Sequence, residues 1–148
     1  MMTMMREHKL YELKIPAKLE KLSEVLGFLD ENLEKHFCPM KTQMQMDIAV
    51  EEIFVNIANY AYGEKTGDAC IKMTFGNDDS GRTYVSISFA DQGMFFDPLA
   101  HVDPDITLSA EERQIGGLGI LMVKKYMDDM FYEYKDGHNI LTMIKYLD

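Results

Sequence analysis

"VEEIFVNIANYAYG" runs from Val50 to Gly63. Its apolar residues have the density of a buried helix, yet Glu52, Asn56 and Asn59 interrupt it at spacings of four and three. At about 100° per residue those three side chains fall within roughly 60° of one another. Met46, Val50, Ile53, Phe54 and Ile57 gather on nearly the opposite face, and Asp47 and Glu51 lie on a separate stripe. Asn is a poor choice inside a helix because its side chain competes for the backbone. A carboxylate one turn from a carboxamide is, however, a set of oxygen ligands suited to a hard cation such as Mg²⁺. A solvated stripe on an amphipathic helix is the competing reading.

The chain around this helix has 148 residues, the length of one domain, and is treated as a single unit over 1–148. Hydrophobic residues make up 47% and charged residues 27%, as in a globular protein. A formal net charge of −10 argues against nucleic-acid binding through phosphate neutralisation and against anionic membranes. Two cysteines, Cys38 and Cys70, form no disulfide framework, which points to a reducing compartment. The opening "MMTMMREHKL" resembles neither a signal peptide nor a membrane span, so the expected location is the cytoplasm. Thirteen methionines are expected mainly in the core.

Outward from the helix, residues 8–17 alternate like a strand, and residues 18–36 place leucines at helical spacing. The opening stretch belongs to a second helix over about 41–62. Strands are expected at 68–76 and 82–90, joined by "NDDSG". Residues 91–115 lack periodicity, a length that suggests a functional loop. A third helix follows the glycines at 116–119. Two final strands flank Asp136-Gly137, a type I′ turn signal. The order β-α-α-β-β-loop-α-β-β implies an α+β fold. It would be a two-layer sandwich, with a mainly antiparallel sheet and helices on one face.

Two more stretches carry chemistry. In "FADQGMFFDP" (89–98), Asp91 ends an apolar strand and can accept from a ligand amino group, while Gly93 lets backbone approach that ligand. In "RQIGGLGILMVKKYMDD" (113–129), Gly116, Gly117 and Gly119 open a helix whose free N–H groups could cradle phosphate, with Arg113 beside them as a clamp. Neither a P-loop nor a dinucleotide fingerprint is present. His36 and Cys38 lack partners for a zinc site, and residues 103–112 have Leu108 where a calcium loop needs glycine.

In order and spacing, "EEIFVN", "DQGMFFDP", "GGLGILMVKKYMDD" and "NILTMIKYL" resemble the sequence boxes of the Bergerat-fold ATPases, the superfamily of gyrase-type and histidine-kinase ATP sites. Within it, the chain is most similar to the small anti-sigma factor serine/threonine kinases of bacterial partner-switching systems. The resemblance implies roles for these residues. Glu52 would be the general base, and Asn56 would hold the Mg²⁺ of Mg·ATP, with Asn59 on the same polar line. Asp91 would accept from the adenine amino group, Gly93 would line the base, and Thr142 would reach the adenine side. Gly116, Gly117 and Gly119 would cradle phosphates, Arg113 would sit near the γ-phosphate, and residues 97–115 would form an ATP lid. Tyr60 stands where some relatives carry histidine and would either stack on adenine or pack. Phe95 replaces a second glycine common in the superfamily.

The implied activity is ATP-dependent phosphorylation of a STAS-like anti-sigma factor antagonist, with a sigma factor as the competing partner. A homodimer is a further implied assembly. Two other functions stay open on the residues alone. One is a histidine-kinase-type catalytic module acting in trans. The other is a non-enzymatic switch in which ATP binding selects partners.

Overall fold

The structure, a computed structural model, describes residues 9–101 and 118–147. Its elements in chain order are β1 (Lys9–Pro16), α1 (Leu22–Lys35), α2 (Met40–Asn56), β2 (Asp68–Asn77), β3 (Thr83–Asp91), α3 (Leu118–Tyr126), β4 (Asp129–Lys135) and β5 (His138–Tyr146). The strands form one sheet in the order β1-β2-β3-β5-β4, and every neighbouring pair is antiparallel.

Period-2 alternation gives this sheet one apolar face. Ile71 pairs with Phe89, Met73 with Ile87 and Phe75 with Val85. Phe89 also faces Leu141, and Ile87 faces Met143. All of these are buried. Helices cover that face through Val25, Leu29 and Leu33 of α1, Met46, Val50, Ile53 and Phe54 of α2, and Ile120 and Val123 of α3. The result is the expected two-layer α+β sandwich. Burying this apolar area supplies most of the driving force for folding.

Turn chemistry fixes the strand registers. Asp136 and Gly137 take φ values of 53° and 77°, the left-handed pair that a type I′ turn requires. In the loop between β2 and β3, Asp78 Oδ1 accepts the N–H groups of Ser80 and Arg82, each at 2.9 Å.

One helix departs from the periodicity reading. The expected helix over 41–62 is α-helical only to Asn56, and Ile57–Ala61 form a wider π-helical turn. The widened turn rotates every following side chain away from the 3.6-residue phase. It also leaves the Ala61 carbonyl to accept the Met94 N–H at 2.8 Å, which ties the end of the helix to the segment after β3.

The interface of α1 and α2 contains an acidic pair. Asp30 Oδ1 and Asp47 Oδ1 are buried, and no described group donates to either. A bond between the two carboxyls exists only when one carries a proton. Burial, then the bond to Asp30, then the charges of Asp30, Glu34 and Glu51 push the Asp47 carboxyl up to about 7. The folded chain therefore keeps a proton that an unfolded Asp, with its pKa of about 3.9, releases. That contribution is complete below pH ~4 and is lost as pH rises through about 7. Discounted for partial exposure, it is on the order of 1–2 kcal/mol. Asp47→Asn should therefore melt roughly 3–6 °C above wild type at pH 8 and show little difference at pH 5, as read by thermal denaturation. Equal melting temperatures at pH 8 would contradict the shared proton.

Candidate functional site

The inward positions of β3 are Val85, Ile87, Phe89 and then Asp91, so the alternation that builds the core also delivers a carboxylate to its end. There the two layers part around a cavity of about 300 Å³. Ile53 and Ile57 line it from the helix side, and Phe89 and Leu141 line it from the sheet. Asp91, Asn56 and Asn139 supply its polar groups. A small apolar slot with a few convergent polar atoms is the common form of a small-molecule site.

Asp91 is 6% exposed. Its Oδ1 accepts the Gly93 N–H at 2.9 Å and the Asn139 Nδ2–H at 3.0 Å. Asn139 sits directly opposite it on β5 and is 7% exposed. Asn139 Nδ2 also donates to the Met94 carbonyl at 2.9 Å. Its Oδ1 accepts the Phe96 N–H at 3.1 Å and the Tyr132 hydroxyl at 2.5 Å. The Asp91 carboxylate, the Met94 carbonyl and the Phe96 N–H fix which end of the amide faces each of them. One buried side chain thus joins β3, β4, β5 and the 94–96 segment. Burial holds the Tyr132 phenol above its ordinary pKa, so it remains a donor at neutral pH. Phe95 lines the cavity and meets the edges of Tyr132 and Tyr134 at centroid distances of 6.0 and 5.3 Å.

On the helix side, Asn56 Nδ2 donates to Glu52 Oε2 at 3.1 Å. That bond turns the Asn56 carbonyl oxygen, the atom a hard cation takes, away from Glu52. Gly119 at the start of α3 lies against Glu52, where a Cβ would overlap the carboxylate. Gly93 lies equally close to Ala61, where a Cβ would overlap the backbone carbonyl. Mg²⁺ needs only one or two protein oxygens when phosphates and water complete its shell, and the Asn56 carbonyl oxygen fits that donor set. Among the described residues no group of three metal-ligating His, Cys, Asp or Glu side chains occurs.

The structure thus gathers Asn56, Tyr60, Asp91 and Gly93 at one end of the sandwich, with Glu52 and Gly119 in contact beside them. Tyr60 lines the cavity and remains 46% exposed. Asn59 does not join them. The π-helical turn rotates it to an exposed position off the cavity wall. Thr142 is also elsewhere. It pairs with Ser88 and Phe131, one residue out of phase with Leu141 and Met143, and so lies on the sheet face opposite the helices. The last strand instead contributes Asn139 and Leu141 to the cavity. Asn139 had a sequence signal, a polar residue at the head of the inward series Asn139, Leu141, Met143. Arg113, Gly116, Gly117 and residues 102–115 of the expected lid lie outside the described residues.

Residues 15–145 match the profile of the histidine kinase-like ATPase domain. The chain belongs to this family. Serine-protein kinase RsbW of Bacillus cereus (strain AH820) and the protein of that name from Bacillus anthracis are each 30% identical, over 97% of this chain and 89% of theirs. These relatives are named as serine-protein kinases and are matched over most of their length. The fold is shared with two solved structures of low identity. The RsbU and RsbW domains of a Mycobacterium tuberculosis protein give a TM-score of 0.61 at 14% identity, over 93% of this chain and 32% of that one. The SiaB–SiaC complex of Pseudomonas aeruginosa gives 0.52 at 18%, over 92% and 89%.

The two close-packed glycines should respond differently to alanine. In Gly93→Ala the new methyl meets backbone, so the Met94–Ala61 bond must yield. That overpacking costs about 1–3 kcal/mol, or roughly 3–10 °C in melting temperature, and weakens ATP binding. In Gly119→Ala the methyl meets the movable end of Glu52. The melting temperature should change by less than about 3 °C, while ATP-dependent activity falls because the carboxylate is displaced. Melts and activity assays on both variants check the contrast, and a Gly119→Ala protein of unimpaired activity would contradict it.

Proposed function

We propose that the protein is an ATP-dependent protein serine/threonine kinase whose substrate is a STAS-like anti-sigma factor antagonist. The observation that carries this reading is the placement of Glu52 beside Asn56 and Gly119, next to a cavity closed by Asp91. A protein that only bound nucleotide would need no carboxylate there. Relatives named as serine-protein kinases over nearly the full chain support the choice of acceptor.

In this reading the base of ATP occupies the apolar slot, with its exocyclic amino group donating to Asp91. Ile53, Ile57, Phe89 and Leu141 enclose it, and Tyr60 closes the outer side. The Asn56 oxygen would hold Mg²⁺, which would supply charge neutralisation for the phosphates. Gly119, with Gly116, Gly117 and Arg113 ahead of it, serves the phosphate end. Glu52 takes the proton from a partner serine or threonine hydroxyl as that oxygen attacks the γ-phosphorus and ADP leaves with the bridging oxygen, and the Asn56 amide holds the Glu52 Oε2 in place. Catalysis is mainly positioning and charge stabilisation.

The same reading includes a sigma factor that competes with the antagonist for this chain, and a homodimer as the working unit. One fold neighbour is described as a complex with a second protein, SiaC, which supports a protein partner. Among the described residues no helix is long and apolar enough to cross a membrane. The proposed location is the cytoplasm.

Glu52→Gln tests the assignment. Gln keeps the side-chain shape and can still bond Asn56, so ATP affinity should stay within about threefold of wild type. Phosphoryl transfer should fall by about 10²–10⁴. Radiolabelled ATP and a purified STAS-domain protein from the same organism would give acid-stable phosphoserine or phosphothreonine. An acid-labile product would instead indicate a histidine acceptor, and an unimpaired Glu52→Gln enzyme would show that Glu52 is not the base.

A further inference from the structure

Asp91 has two carboxylate oxygens, and the described residues bond to one of them. Oδ1 accepts both local donors, the Gly93 N–H at 2.9 Å and the Asn139 Nδ2–H at 3.0 Å. Among the described residues none hydrogen-bonds to Oδ2. Because Asp91 lines the cavity, Oδ2 is the oxygen left for a ligand. The donor on Asn139 cannot be reversed. A flipped amide would turn its oxygen toward both the Asp91 carboxylate and the Met94 carbonyl, and its nitrogen toward the Phe96 N–H. Three repulsive contacts would replace three bonds.

We propose that Asn139 is a positioning residue that sets base selectivity, by locking the Asp91 side chain so that a single acceptor atom faces the cavity. The inference rests on the nucleotide reading of the cavity. A purine with an amino group at position 6 donates to that lone acceptor. A purine with an oxo group at the same position presents a second acceptor and is rejected. Asn139 also holds the 94–96 segment through the Met94 carbonyl and the Phe96 N–H, so the wall that carries Phe95 and the atom that reads the base are set together.

The lock has a consequence for Asp91→Asn. The two donors from Gly93 and Asn139 require an oxygen at the Oδ1 position. The new amide must therefore direct its NH₂ into the cavity. A site that accepted a hydrogen bond becomes one that donates, without a change in shape, and the preferred base changes from 6-amino to 6-oxo.

Calorimetric titration with ATP and ITP reads this directly, because the selectivity ratio does not follow from fold stability alone. The wild type should bind ATP at least about tenfold tighter than ITP, and Asp91→Asn should reverse the order by about tenfold. Asp91→Asn combined with Asn139→Leu should lose the reversal, with the two affinities within about threefold. Circular dichroism and thermal melts establish that each variant is folded. If the Leu variant does not fold, Asp91→Asn alone decides, because its donor direction depends on the same two bonds. A folded Asp91→Asn protein with no gain in ITP affinity overturns the inference. So does a folded Asn139→Leu protein with wild-type ATP affinity and selectivity. Failure of the wild type to bind either nucleotide overturns the nucleotide reading itself, and this inference with it.

Discussion

A two-layer sandwich is stable because its layers touch, and this one must keep them apart at one end. The separation rests on Asn139. Four hydrogen bonds from one buried amide hold β3, β4, β5 and the 94–96 segment in fixed relation, while the Met94 N–H ties that segment to the π-helical turn at Ala61. Apolar side chains in the gap would otherwise collapse on one another, because a void forfeits dispersion contacts. A fully satisfied polar network resists that collapse, since moving any member strands another buried group.

The same helix serves the core and the site. On α2, Met46, Val50, Ile53 and Phe54 bury against the sheet, while Glu52 and Asn56 bond to each other at the cavity end. Building the site on a packed helix fixes the Glu52–Asn56 pair more firmly than a loop would. The acidic Asp30–Asp47 contact between α1 and this helix is a weak point of that arrangement above neutral pH, because its bond depends on a retained proton. The two glycines complete the geometry by omission of a side chain. Gly93 admits the Ala61 carbonyl, and Gly119 admits the Glu52 carboxylate.

Much of this was legible in the sequence because it follows from local rules. Alternation placed the strands, leucine spacing placed α1, and Asp136-Gly137 announced its turn. Asp91 and Gly93 stood out as polar and small residues at the end of an apolar run. Two residues lie off the cavity, for two physical reasons. A 3.6-residue period puts Asn59 on the polar line, but the backbone widens into a π-helical turn after Asn56, and no composition rule marks that change. The resemblance of its strand to a family box implies an adenine contact for Thr142, whereas strict alternation from Leu141 and Met143 puts it on the outer face. Asn139 was visible as a polar residue in phase with the core, but its partners are at Asp91, Met94, Phe96 and Tyr132, and only the folded chain brings them together.

The central claim is that the gap between the helix layer and the sheet at Asp91 is the nucleotide site. A crystal structure of the chain with Mg²⁺ and a non-hydrolysable ATP analogue tests it most directly. The account predicts the base between Ile53, Ile57, Phe89 and Leu141, its amino group within hydrogen-bond distance of Asp91 Oδ2, and Mg²⁺ on the Asn56 oxygen. A nucleotide bound outside this cavity, or a base turned with its amino group away from Asp91, would contradict it.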